Sequence, residues 1–227
     1  MLRAVIFDFN GIIVDDEPIH FELFRRVLNE EGIKLTKEEY YARYLGFDDR
    51  GAFTAAYREH AQPLQQPKLD ELIERKAAYY QEGIKTKMKV FPGVERLIPN
   101  LARELPLAIA SGALRNEIEI ILSSIGLFDA FRAIVSAEDV SRGKPEPEIF
   151  VKALAQLNTS LDGEAPIRAS HCLVIEDSKE GIRGARQAGM KCLAVTNSHP
   201  PELLAEADAI VDSLDGVSLP QLKRLWF

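Results

Sequence analysis

The sequence predicts an α/β protein, a mostly parallel open sheet interrupted by an all-helical insert. Two observations carry this. First, short apolar runs at residues 2–7, 105–110, 133–136, 171–175, 191–195 and 209–211 are rich in Val, Ile, Leu or Ala. Short runs without polar alternation are what strands buried on both faces of a parallel sheet look like. Helix-like stretches at 94–103, 115–125, 147–157, 179–188 and 201–205 lie between them, and alternating strand and helix is the pattern of an open α/β sheet. Second, residues 15–89 hold no convincing strand. Residues 17–31 have helical periodicity, with His20, Leu23, Phe24 and Val27 on one face, and Gly32 supplies a stop. Thr36 followed by Glu39 reads as a capping box, and 69–81 is a further amphipathic run. Phe91-Pro92-Gly93 marks the return to the sheet. Residues 1–14 and 90–227 are therefore assigned to the α/β core, and 15–89 to a helical cap.

Composition bounds the function. The chain has 227 residues, 46 % of them apolar and 28 % charged, as in ordinary globular proteins. Its net charge of −7 argues against a nucleic-acid partner, which calls for a basic face. A small anionic substrate is compatible, because local cations or a metal outweigh the global field. Cys172 and Cys192 each lie in an apolar run and read as buried reduced thiols rather than a disulfide or a metal pair. Asp8 interrupts the first apolar run too early for a signal peptide, and nothing approaches the roughly 20 apolar residues of a membrane span. The chain reads as cytoplasmic, without a membrane partner, and as a monomer or weak homodimer.

Ligands of open parallel sheets bind beyond the carboxyl ends of the strands. The first run ends at Asp8, the second at Ser111-Gly112 and the fourth at Glu176-Asp177-Ser178; Ser141-Arg142-Gly143-Lys144-Pro145 follows the third. Taken singly, each has an ordinary explanation: a turn aspartate, a loop Ser-Gly, an N-cap at Asp177 or Ser178, a solvated lysine. Together they set carboxylates, a hydroxyl and a lysine along one edge. Carboxylates from separate strands suit Mg²⁺, which leans on one or two of them plus substrate phosphate. Ser111 and the N–H groups after it, opening a helix, would cradle a phosphate. An aspartate beside Mg²⁺ is placed to attack phosphorus. A calcium-loop reading of Asp8-Phe9-Asn10-Gly11 fails, because its sixth and twelfth positions are Ile13 and Ile19 rather than Gly and Glu.

With these residues in hand, the chain resembles the haloacid dehalogenase superfamily along essentially its whole length. It is especially similar to the β-phosphoglucomutase-like phosphatases and mutases, with a Rossmann-like core and a helical cap after the first motif. Asp8-Phe9-Asn10-Gly11 resembles motif one, whose first aspartate is the nucleophile. Ile109-Ala110-Ser111-Gly112 resembles motif two, and Gly143-Lys144-Pro145-Glu146-Pro147 motif three. Val174-Ile175-Glu176-Asp177-Ser178 with Gly181 resembles motif four. The resemblance implies Mg²⁺ held by Asp8, the Asn10 carbonyl, Glu176 and Asp177. It implies catalytic roles for Asp8, Asn10, Ser111 and Lys144, and phosphate contacts from Gly11, Gly112 and Ala113. In the cap it implies a substrate-facing His20, which reads equally as a partly buried residue of the helix face, and a specificity loop at 44–50 containing Gly46 and Arg50. Arg50 reads equally as a surface arginine. Lys76 reads first as a solvated helix lysine, with a reach to substrate as the alternative. Leu45 stands where the mutases carry a lysine, which weakens a mutase reading.

Asn10 occupies the position of the family's second aspartate, the general acid and base. It keeps a backbone carbonyl for Mg²⁺ but has no proton to exchange. The sequence leaves four accounts open. Another group, His20 or the Asp15-Asp16 pair, replaces it or the substrate has a good leaving group; the aspartate was replaced by design; the protein binds a phosphorylated ligand without turnover; or the chemistry differs. Dehalogenation, which needs no Mg²⁺, sits poorly with Glu176 and Asp177. The expectation is Mg²⁺-dependent hydrolysis of a small phosphorylated metabolite, with a sugar-phosphate mutase and a non-catalytic phospholigand binder as alternatives.

Overall fold

The computed structural model describes residues 1–44, 47, 49–87, 89–161 and 165–226, with side chains for all of these except 81–87 and 226. Two compact units result, Met1–Asp15 with Lys89–Phe227, and Asp16–Met88.

Among its described residues the first unit has eight strands: β1 (Ala4–Phe7), β2 (Val14–Asp15), β3 (Lys89–Val90), β4 (Leu107–Ala110), β5 (Ala133–Val135), β6 (Cys172–Glu176), β7 (Lys191–Val195) and β8 (Ala209–Val211). Six of them form one parallel sheet in the order β5-β4-β1-β6-β7-β8, a Rossmann-like arrangement. Every residue of β1, β4, β5 and β6 is buried, which is why their sequences are continuous apolar runs. The edge strand β8 is only partly covered.

The chain runs outward from β1 through β4 to β5, then returns to the other side of β1 as β6. The strand order therefore reverses at β1, and the crevice there is where such sheets bind ligands. Register fixes what meets in it. Phe7 pairs with Ile109 on one side and Ile175 on the other, so Asp8 is level with Ala110 and Glu176, one residue short of Ser111.

Three strands start later than expected, β6 by one residue at Cys172 and two others by two residues. β1 begins at Ala4 rather than residue 2. β4 begins at Leu107 because the Leu105 N–H still belongs to the preceding helical turn, donating to Leu101, and Pro106 has no N–H to give. The antiparallel pair β2–β3 was not legible in the sequence, since two residues are too few to show a period.

Among its described residues the second unit has helices as its regular elements: α1 (Glu17–Glu30), α2 (Lys37–Arg43), α3 (Asp49–Glu59) and α4 (Gln66–Lys87). The predicted capping box forms, with the Glu39 N–H donating to Thr36 Oγ1 at 3.2 Å and the Thr36 N–H to Glu39 Oε2 at 3.0 Å. The core gathers Phe21, Phe24, Val27, Leu28, Tyr40, Phe53, Ala56 and Leu72, with the Phe24 and Phe53 rings 4.5 Å apart. Helix α3 corrects the sequence reading, which put residues 44–50 in a loop and named no separate helix between that loop and residue 69. Asp49 and Arg50 open α3, whose buried face is largely alanine (Ala52, Ala55, Ala56) and gains its apolar character only by packing around Phe53. No helix among the described residues is long and apolar enough to cross a membrane. Both cysteines are buried free thiols, and burial pushes the Cys172 thiol up to about 12.

Candidate active site

Asp8 leaves β1 with its N–H still in the ladder, donating to the Ile175 carbonyl at 2.9 Å. The chain then turns sharply. The Phe9 carbonyl accepts from Ile13, and the Gly11 N–H donates to the Val14 carbonyl at 3.0 Å. Gly11 sits at φ +77°, and a Cβ there would lie 1.8 Å from Asp177 Oδ2. Glycine is needed both for the turn and for the approach of that carboxylate.

Around Asp8 the charges are dense. Lys144 Nζ lies 2.8 Å from Asp8 Oδ1 and 2.5 Å from Glu176 Oε1. Glu176, the last residue of β6, is fully buried. Its Oε2 accepts from the Asp177 N–H, the Ser178 N–H and Ser178 Oγ, each at 2.8 Å. A Cβ on residue 181 would lie 1.7 Å from Glu176 Oε1, so Gly181 leaves room for this carboxylate against the backbone. Ser178, one of the two caps considered from sequence, caps helix α8 (Lys179–Gln187; α5, α6 and α7 are Val94–Ala102, Arg115–Ser124 and Glu148–Thr159), accepting from Gly181 N–H at 3.0 Å.

Asp8, Glu176 and Asp177 each offer one oxygen, and the three oxygens lie within 4.8 Å of one another. Three buried carboxylates face one largely buried lysine. Burial first, then Glu176, raises the Asp8 carboxyl to about 6 against the pull of Lys144. Burial, then Glu176 and Asp8, push Asp177 well above the carboxylate range. Lys144 is held above its ordinary range: burial opposes its charge, but Asp8 and Glu176 outweigh burial. This excess of buried negative charge and an all-oxygen donor set fit a hard divalent cation such as Mg²⁺. Because Glu176 has Lys144 on one oxygen and three donors on the other, Asp8 and Asp177 present the less engaged oxygens.

Ser111 is buried directly beyond β4, its N–H donating to the Val135 carbonyl and its Oγ accepting from the Ala113 N–H at 3.2 Å. The expected helix-terminus cradle does not form as predicted. Helix α6 starts only at Arg115, whose N–H is taken by Glu138 at 2.9 Å, while the Leu114 N–H goes to Glu117. Two carboxylates already occupy that helix end, so the segment near Asp8 is the Ser111-Gly112-Ala113 turn.

Residues 5–195 match the family described as haloacid dehalogenase-like hydrolase. The chain belongs to this family. It is 28 % identical to validoxylamine A 7'-phosphate phosphatase of Streptomyces hygroscopicus subsp. limoneus, over 98 % of this chain and 99 % of that protein. It is 30 % identical to the β-phosphoglucomutase of Bacillus subtilis, over 99 % and 96 %. The crystal structure of CbbY from Rhodobacter sphaeroides in complex with phosphate shares the fold, with a TM-score of 0.85, 22 % identity, and coverage of 98 % and 100 %.

In this haloacid dehalogenase-like hydrolase the helical unit holds its own polar cluster. Lys76 is not the solvated lysine expected. It is buried, it pairs with Asp49, and its Nζ lies 2.9 Å from His20 Nδ1. An ammonium only donates, so His20 Nδ1 accepts, and its Nε2–H donates to Asp16 Oδ2 at 3.0 Å. The Tyr80 hydroxyl donates to the same Asp16 oxygen, and its ring stacks on His20 at 4.9 Å. Arg50 is half exposed and paired with Asp70 at 3.1 Å, in keeping with the surface reading. Gly46 and Leu45 lie outside the described residues.

Two residues next to the site were missed from sequence. Beyond β7, Asn197 Nδ2 donates to the Gly11 carbonyl at 2.6 Å, and Ser198 Oγ donates to Asp177 Oδ2. The available signal was positional. β7 ends on the same edge as β6, and the sequence reading took no polar residues from its end.

Proposed function

We propose that the protein is a Mg²⁺-dependent phosphohydrolase acting on a small phosphorylated metabolite through an aspartyl-phosphate on Asp8. The observation that carries this is the charge balance at the strand ends, where three buried carboxylates meet the largely buried Lys144, with Ser111 buried at the end of the neighbouring strand. The relatives named as acting on phosphorylated small molecules support the substrate class.

In this reading an Asp8 oxygen attacks phosphorus and the bond from phosphorus to the ester oxygen breaks. Water then attacks the aspartyl-phosphate at phosphorus, releasing inorganic phosphate and regenerating the carboxylate. Lys144 and Ser111 hold phosphoryl oxygens through both halves. Mg²⁺, when bound among Asp8, the Asn10 carbonyl and Asp177, screens the repulsion between carboxylate and phosphate and offsets developing charge. Glu176 acts by fixing Lys144 and the Asp177 backbone.

Each half also needs one proton moved, to the leaving oxygen and from the attacking water. Asn10 does neither, so turnover is slowed by roughly 10²–10⁴ relative to an aspartate there, about 3–5 kcal/mol of barrier. His20 is not offered as the replacement, because both of its ring nitrogens are engaged inside the helical unit.

The test is a phosphate-ester panel with Mg²⁺, run on the wild type, Asp8→Ala and Asn10→Asp. Hydrolysis abolished by Asp8→Ala, and raised roughly 10²-fold or more by Asn10→Asp, is expected. Full activity in Asp8→Ala refutes the proposal. Asn10 itself favours a second reading, a protein that binds a phosphorylated ligand without turnover. Mg²⁺-dependent binding with no phosphate release across the panel would select it.

A further inference from the structure

We infer that the loop after β7, through Asn197 and Ser198, is a clamp that sets how Asp177 and the Asp8–Gly11 turn present oxygen atoms to a divalent cation. The inference rests on the functional reading above and assigns positioning roles to two residues outside the four motifs.

The geometry starts at Gly11. Its N–H donates to the Val14 carbonyl, which fixes the plane of the Asn10–Gly11 peptide and hence the direction of the Asn10 carbonyl. The next peptide plane is held from its other end, where Asn197 Nδ2 donates to the Gly11 carbonyl at 2.6 Å and the Ile12 N–H to the Phe9 carbonyl. Gly11 is also where the turn meets Asp177. Its missing side chain would sit 1.8 Å from Asp177 Oδ2 and 3.0 Å from Ser198 Oγ, so the three groups touch.

Ser198 Oγ occupies Asp177 Oδ2. With Oδ2 engaged, Oδ1 is the Asp177 oxygen left for a cation, which makes a single-oxygen contact the natural one. Without the hydroxyl, the carboxylate is free to rotate about its last bond and no longer holds one oxygen toward Asp8. The loop reaches this place because β7 lies beside β6 in register, Ala194 against Glu176, and because the Thr196 N–H is tied to the Val211 carbonyl of β8. Asn197 and Ser198 are therefore carried past the carboxyl edge next to Asp177.

Groups that orient a metal ligand typically change metal affinity 10–100-fold when removed. The experiment titrates Mn²⁺ into wild type, Ser198→Ala, Ser198→Thr and Asn197→Ala, reading bound metal by electron paramagnetic resonance, with circular dichroism as the check on folding. Asp177→Asn is the control for the site. Expected are a tenfold or greater loss of affinity in Ser198→Ala, recovery in Ser198→Thr, which keeps the hydroxyl, and a loss in Asn197→Ala. In a phosphate-ester assay the Ser198→Ala rate should return toward wild type at saturating metal. Unchanged Mn²⁺ affinity in folded Ser198→Ala, or no recovery with threonine, overturns the clamp while leaving the functional reading in place. A wild type that binds no Mn²⁺, or an Asp177→Asn variant that binds it equally well, overturns the functional reading and the clamp with it.

Discussion

Replacing Lys144 by methionine isolates the electrostatic core of the site. In wild type without metal, moving the Asp8 carboxyl from its ordinary 3.8 up to about 6 costs about 3 kcal/mol of stability at neutral pH. The sign follows from proton counting. Between those two values the folded protein holds more protons than the unfolded chain, so stability falls as pH rises. The cost is absent below about pH 4, where both states are protonated, and complete above about pH 6. Lys144 is what keeps it from being larger, since its pull lowers the Asp8 value and pairs Glu176 at 2.5 Å. Removing one member of a buried ion pair typically costs 3–5 kcal/mol. Lys144→Met is therefore expected to lose about that much at pH 7.5 and less at pH 5, where Asp8 takes up a proton instead. Urea unfolding in chelator at the two pH values measures the difference. An equal loss at both, or none, would refute the argument that Lys144 acts by balancing buried carboxylates.

Three further outcomes follow from the same geometry. Gly181→Ala puts a methyl 1.7 Å from Glu176 Oε1 and should cost about 1–3 kcal/mol, read by urea unfolding; a neutral result means Glu176 is not held against α8. Mg²⁺ should raise the melting temperature more at pH 7.5 than at pH 5, because burial keeps Asp8 largely protonated at the lower pH and shifts Asp177 in the same direction; an equal rise at both would count against these carboxylates as ligands. In the helical unit, ¹⁵N NMR should find His20 as the Nε2–H tautomer, and Lys76→Met should remove the donor that fixes it; an Nδ1–H ring in wild type would contradict the network.

The strands were legible because burial on both faces leaves a local trace. Residues 4–7, 107–110 and 172–176 are uninterrupted apolar runs, or nearly so, and need no distant information to be recognised. Caps were legible for a similar reason, since Thr36 and Glu39 are three residues apart and meet within one helical turn. Helix α3 was not, because an alanine-rich face looks weakly amphipathic until its Phe53 packs on Phe24 of α1. Lys76 was misread for the same kind of reason. Its burial depends on Asp49 and His20, which lie 27 and 56 residues away in the chain.

The sequence by itself determined the α/β class, the family, and the residues that stand at the strand ends, because each is written in local runs and short motifs. It also determined that position 10 carries an amide, and therefore what that side chain cannot do. Only the tertiary structure decided which of those residues touch. The reversal of strand order at β1 brings Asp8 level with Glu176, and Lys144, 136 positions from Asp8 and 32 from Glu176 in the chain, reaches both. Tertiary structure also decided that Glu176 spends its oxygens on Lys144 and its own backbone, that two glutamates occupy the end of α6, and that Asn197 and Ser198 reach the nucleophile turn. The physical reason is that hydrogen bonds and charge pairs depend on distances of about 3 Å, and a sequence records such distances only for near neighbours along the chain.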